Sequence, residues 1–130
     1  MALQPAFDAF RDGYEAGRNQ LVWTRLAADL DTPVSVMLKL AGAQRHAFML
    51  ESVTGGEVRG RYSIIGMNPD LVWECRGTAS RLNRAARWDD DAWEDLPGHP
   101  LDALRGLLAE CRIDLPEGLP AASAGLFGYL

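Results

Sequence analysis

The chain has 130 residues, a length that fits one domain, and it is 48% hydrophobic and 24% charged. That balance excludes a disordered or fibrous chain and is ordinary for a soluble globular protein. A net charge of −5, from 18 acidic and 13 basic residues with no basic block, argues against nucleic acid or an anionic membrane as partner.

The first pattern runs from Pro5 to Gly17. Phe7, Phe10 and Tyr14 fall at helical spacing there, with Asp8, Arg11, Asp12 and Glu15 on the other faces. This predicts a short amphipathic helix that stops near Gly17. Gln20 to Leu26 is β-branched and aromatic with a partial alternation, which predicts a strand. A helix start follows at Asp29 to Val34. Thr32 has a hydroxyl to cap it, and Pro33 suits the first helical position, where the N–H it lacks would have no partner anyway. Val34, Met37, Leu38 and Ala41 share one face of this helix, and Gly42 is a natural stop.

Residues 43–45 lead into a strand over Ala47 to Ser52. Val53 to Gly60 is a polar, glycine-rich link. Arg61 to Met67 is the next strand, closed by a turn at Asn68-Pro69-Asp70. Leu71 to Arg76 and Ala79 to Arg87 read as a hairpin about Gly77-Thr78. Trp88 to Gly98 is acidic and reads as a solvated loop, without the glycine and ligand spacing of a calcium site. Pro100 opens a last helix, with Leu101, Leu104, Leu107, Leu108 and Cys111 as its buried stripe. Ile113 to Pro120 is a linker, and Ser123 to Leu130 is expected to start another strand. The links between residues 46 and 87 are too short for a parallel crossover, which needs about a dozen residues or more. The fold class is therefore α+β: a mainly antiparallel sheet with helices packed against it. A chain of this size buries about 65–70% of its unfolded surface, enough for a core.

Cys75 and Cys111 lie far apart and outside any CxxC pattern, so two buried free thiols are expected rather than a disulfide or a zinc site. No basic-then-apolar leader opens the chain, and no apolar run approaches the roughly 18 residues of a membrane span. A cytoplasmic location follows as the expectation. The run Ala124 to Leu130 is apolar and strand-like to its last residue, which reads as the edge of a longer chain. Catalytic groupings are missing. His46 and His99 read as surface or capping residues. No serine sits in a nucleophile elbow, and Gly55, Gly56 and Gly60 miss the dinucleotide-binding spacing. No acidic pair on a predicted helix marks a metal or acid–base site.

What remains is the stretch from Phe48 to Gly66. Two short strands joined by a flexible link bring Glu51, Ser52, Arg61 and Ser63 together. Glu51 offers a carboxylate to an ammonium group, and Ser52 and Ser63 offer hydroxyls that donate and accept. Arg61 is suited to a bidentate grip on a carboxylate, with Leu50 and Ile64 directed toward a core. These are the groups that a zwitterionic amino acid needs. The same residues also fit a plain polar link whose Glu–Arg pair is a surface salt bridge, worth roughly 0–1 kcal/mol.

Leu50-Glu51-Ser52, the glycine-containing link and Arg61-Tyr62-Ser63-Ile64-Ile65-Gly66 resemble the N-terminal region of anthranilate synthase component I, the chorismate-using subunit of tryptophan biosynthesis. The resemblance extends to Asp31-Thr32-Pro33-Val34-Ser35 with Leu38-Lys39-Leu40, to Asn68-Pro69, and to Ala124-Gly125-Leu126-Phe127-Gly128-Tyr129. The order and spacing of these motifs carry it. It implies that residues 1–130 are the N-terminal, regulatory domain of a longer subunit whose C-terminal catalytic part is absent. Such a subunit is a lyase that converts chorismate to anthranilate and pyruvate. Ammonia comes from a glutamine amidotransferase partner, and magnesium is bound. The family is feedback-inhibited by tryptophan. Carried over, Leu50, Glu51 and Ser52 line the allosteric tryptophan pocket, Arg61 is the basic residue downstream, and Tyr62 and Ser63 are neighbours. The rest of the pocket lies beyond position 130. The 130 residues alone are expected to be inactive, with no catalytic residue, cofactor or metal ligand among them. The folate-pathway paralogue, aminodeoxychorismate synthase component I, is the nearest alternative, and the complete Asp-Thr-Pro-Val-Ser and Leu-Glu-Ser patterns favour the anthranilate enzyme. A stand-alone amino-acid-sensing module is the alternative from a different class.

Overall fold

The computed structural model describes residues 2–51 and 62–130. In chain order the elements are α1 (Phe7–Glu15), α2 (Pro33–Leu40), β1 (Phe48–Glu51), β2 (Ser63–Gly66), β3 (Val72–Arg76), β4 (Ala79–Asn83), β5 (Trp93–Leu96) and α3 (Pro100–Glu110), then a 3-10 turn at Ala121–Ser123. Every strand pairing among the described residues is antiparallel, and the fold is α+β as expected. Two compact units make up the chain: Met1–Ala27 with Leu101–Leu130, and Ala28–Pro100.

The first unit is helical. On α1 the Phe10 and Tyr14 rings stack with centroids 6.2 Å apart, as their spacing predicts. The stripe does not turn inward, however: Phe7 is 74% exposed and Tyr14 73%. The buried residue of α1 is Gly13. Its missing side chain leaves room for Gln20, whose Nε2 donates to the Phe10 carbonyl at 2.9 Å. The strand expected over Gln20 to Leu26 is absent. Trp23 forms a single antiparallel bridge with Gln4, and among the described residues no strand extends it. On α3 the buried residues are the opening Pro100 and Leu107, while Leu101 and Leu108 of the expected stripe stand exposed. Asn19 Nδ2 donates to the carbonyls of Glu110 (2.9 Å) and Arg112 (3.1 Å), satisfying groups that a helix end leaves open. The strand expected from Ser123 onward is also absent: Ser123 ends the 3-10 turn, and residues 124–130 belong to no strand.

In the second unit the start of α2 follows the sequence closely. Thr32 Oγ1 accepts from the Ser35 N–H at 3.1 Å, and Ser35 Oγ accepts from the Thr32 N–H at 2.9 Å, a reciprocal capping box with Pro33 at the first turn. Asp31 accepts from Ser35 Oγ and pairs with Lys39, tying the cap to the last turn. Gly42 ends the helix region in the left-handed conformation at φ +44°. Packing brings α2 against β2.

The strands form two sheets, β1–β2 and β3–β4–β5. Gly77 takes φ +62° in the β3–β4 turn, where a side chain would be strained. The acidic segment Trp88 to Gly98 corrects the loop expectation, because Trp93–Leu96 within it is β5, paired with β4. Asn83, 1% exposed, builds that return. Its Oδ1 accepts from the Ala85 N–H (2.8 Å), and its Nδ2 donates to the Asp89 carbonyl (2.7 Å). The sequence alone did not mark this residue. Both cysteines are free, but Cys75 is exposed and Cys111 only half-buried, against the expectation of two buried thiols. The core is smaller than the length permits. Among the described residues the buried hydrophobic side chains are Ala41, Leu82 and Leu107.

Candidate functional site

Four of the six residues singled out by sequence are described, and they gather at one end of the β1–β2 ribbon. The register pairs Phe48 with Gly66, Met49 with Ile65, Leu50 with Ile64 and Glu51 with Ser63. Alternation along a strand then fixes the faces. Phe48, Leu50, Ile64 and Gly66 share one. Met49, Glu51, Ser63 and Ile65 share the other. A Cβ at Gly66 would collide with the Phe48 ring, so the glycine makes room for the aromatic side chain opposite it.

The polar pair closes the ribbon. Ser63 Oγ donates to Glu51 Oε1 at 3.4 Å, longer than the roughly 2.7–2.8 Å typical of such bonds. Both side chains are exposed, so each oxygen keeps capacity for a further partner. Leu50, half-exposed, lies on the opposite face from Glu51, and Tyr62, 57% exposed, directly precedes β2. A ligand touching both Leu50 and Glu51 must therefore wrap the end of the ribbon rather than lie flat on one face. Ser52 and Arg61 are outside the described residues.

A second polar grouping, not foreseen from sequence, lies on the three-stranded sheet. A depression of about 160 Å³ is lined by Glu74, Arg76, Ala79, Ser80, Arg81 and Asp95. Arg81 donates to Glu74 Oε2 through Nε (3.0 Å) and a terminal nitrogen (2.7 Å), and its guanidinium lies 4.1 Å from the centre of the Trp93 ring. The Arg81 hydrogen bonds hold Glu74 below its ordinary pKa, with Coulombic attraction adding and burial opposing. Hairpin arithmetic was the available signal. A two-residue turn at Gly77-Thr78 sets Arg76 opposite Ala79 and Glu74 opposite Arg81. With its donors engaged by Glu74, Arg81 knits strands together.

Among the described residues, no group of three or more His, Cys, Asp or Glu side chains is placed to hold a metal ion. No helix among the described residues is long and apolar enough to cross a membrane.

These features describe an α+β chain with a polar ribbon end and no assembled metal centre among its described residues. Comparison with known proteins narrows the class. No protein-family model and no solved structure matches the chain. It is similar to the anthranilate synthase component 1 of Cereibacter sphaeroides, with 62% identity over 125 residues, covering 96% of this chain and 25% of that protein. The Synechocystis protein of the same name is 39% identical over 127 residues, covering 97% of this chain and 24% of its own length. That of Arthrobacter globiformis is 32% identical over 130 residues, with shares of 98% and 23%. The chain is a homologue of the N-terminal part of anthranilate synthase component 1 proteins. It spans about a quarter of the length of these curated relatives.

Proposed function

We propose that the chain is the N-terminal, regulatory part of an anthranilate synthase subunit. The whole subunit converts chorismate and ammonia to anthranilate and pyruvate, with magnesium bound in its C-terminal catalytic part. A glutamine amidotransferase subunit supplies the ammonia, and the assembly works in the cytoplasm. Residues 1–130 form one wall of the site through which tryptophan inhibits it.

The observation that carries the reading is the 62% identity to a named component 1 over nearly the whole chain. The tryptophan site draws its support from the pairing of Glu51 with Ser63, whose exposed carboxylate and hydroxyl suit the ammonium group of an amino acid. Leu50 and Tyr62 add apolar surface beside them, and Ser52 and Arg61 follow and precede the two strands in sequence.

Tryptophan inhibition of the intact subunit, assayed with its amidotransferase, tests the site. Ser52→Phe is expected to raise the tryptophan concentration for half-inhibition at least tenfold, with chorismate turnover in the absence of tryptophan reporting that the subunit has folded. Unchanged inhibition in a folded, active variant removes Ser52 from the site. Pyruvate release tests the reaction separately. It accompanies anthranilate, whereas the folate-pathway product keeps the enolpyruvyl group.

A further inference from the structure

We propose that the return between β4 and β5 is a clamp that sets the direction of the β1–β2 ribbon, and that Arg45 and Arg87 are positioning residues for the site at the ribbon's far end. The inference rests on the tryptophan reading above and adds to it residues that touch no ligand.

The far end of the ribbon carries Glu51 opposite Ser63, and its base is where the chain enters at Phe48 and leaves at Gly66. Both connections at the base reach the same segment. Arg45, three residues before β1, pairs through Nη1 with Asp90 Oδ2 at 2.7 Å. Arg87 Nε donates to the carbonyl of Asn68, two residues after β2, at 3.1 Å. Arg87 and Asp90 both belong to the return, between the end of β4 at Asn83 and the start of β5 at Trp93.

Backbone conformation marks the same two points. Among the described residues, the non-glycine residues in the left-handed region are His46, at φ +59°, and Asn68, at φ +50°. One lies two residues before β1 and the other two residues after β2. Histidine and asparagine enter this region more readily than most residues, yet such a conformation persists where its surroundings hold it. Each has an arginine contact at hand: His46 follows Arg45, and the Asn68 carbonyl is the acceptor for Arg87.

The return is closed on itself by its own hydrogen bonds, so it offers the arginines fixed points. Asn83 bonds to the Ala85 N–H and the Asp89 carbonyl. The Trp88 and Asp89 N–H groups donate to the Ala85 carbonyl at 2.8 and 2.9 Å. The Asp91 N–H donates to Asp89 Oδ1 at 2.8 Å, and Trp93 Nε1 donates to the Asp90 carbonyl at 2.9 Å.

A ribbon magnifies any error at its base. From Phe48 to Glu51 it rises about 10 Å, so a swing of about 10° moves the Glu51 end by roughly 1.7 Å. A binding constellation has to be held to about 0.5 Å. Packing of α2 against β2 already supports the ribbon, and an exposed ion pair adds little to stability. The effect of the clamp is therefore expected in inhibition, not in folding.

The test uses the intact subunit with its amidotransferase, carrying Arg45→Gln and Arg87→Gln together. The tryptophan concentration for half-inhibition is expected to rise about fivefold or more. Without tryptophan, kcat and KM for chorismate should stay within about twofold of the parent. Joining Asp90→Arg to Arg45→Asp restores an ion pair and should recover most of the inhibition that Arg45→Asp alone loses. Arg105→Gln breaks an exposed pair with Asp102 on α3, of 2.8 Å, and should leave inhibition unchanged. An unshifted double variant overturns the clamp, as does an equal shift in Arg105→Gln or a matching loss of uninhibited turnover. Ser52→Phe separates the two readings. If it weakens inhibition and the double variant does not, the clamp alone fails; if neither does, the tryptophan reading has failed first.

Discussion

Glu74 carries a charge that one neighbour sustains. Two hydrogen bonds from Arg81 to the same oxygen favour the ionised form, and Coulombic attraction to Arg81 adds to them, so the pKa lies below the ordinary carboxylate value. A depressed folded-state pKa adds stability that is present above the unfolded pKa and is lost as pH falls through the folded one. Arg81→Met is therefore expected to return the Glu74 titration, followed by NMR of its carboxyl carbon, to the ordinary carboxylate range. It should also weaken the acid-dependent part of stability. A Glu74 midpoint that does not move would mean that the pair does not form in solution. Residue-level legibility divides at this point. Thr32 and Pro33 were readable because a cap and a first-turn proline act within four residues of sequence. The Glu74–Arg81 pair depends on the register of a hairpin, so it appears only after the turn has been placed.

At the scale of elements the three described helices were legible, because each announces itself by a local period, and two of them by a proline at the start. The strands were less so, since a strand is defined by its neighbour. Gln20 to Leu26 has strand composition, but among the described residues its strand-like pairing is the one bridge of Trp23 with Gln4. Trp93–Leu96 has an acidic centre, yet it becomes β5 because Asn83 turns the chain back onto β4 and Arg81 faces Asp95. The described residues of the site stretch form two strands, β1 and β2, as predicted, in a register that sequence alone did not specify. That register makes Phe48 and Gly66 a packing unit. Gly66→Val places methyl groups where the Phe48 ring lies, and overpacking of this kind costs about 1–3 kcal/mol. The expected loss is measured by urea unfolding and should largely vanish in a Phe48→Ala background. Equal losses in both backgrounds would show that the two residues do not share this space.

At the scale of the whole molecule, the buried hydrophobic side chains among the described residues are few for the hydrophobic content. Ala41, Leu82 and Leu107 are buried, while Phe7, Tyr14, Leu26, Leu30, Leu38 and Tyr129 are each at least two-thirds exposed. Single exposed apolar residues are normal on any surface. Two exposed aromatic side chains on one short helix are the kind of surface that proteins cover with other protein. The 130-residue chain by itself is expected to enhance the fluorescence of a hydrophobic dye and to self-associate in sedimentation velocity, and the intact subunit should do neither. It should also show no anthranilate formation with chorismate, magnesium and ammonia, on the proposal that the catalytic part lies in the remaining three-quarters of the subunit. The two measurements separate two causes. Activity in the 130-residue chain would put the chemistry within residues 1–130. A monomeric chain that leaves the dye unchanged would instead show that the exposed aromatic and aliphatic surface needs no cover.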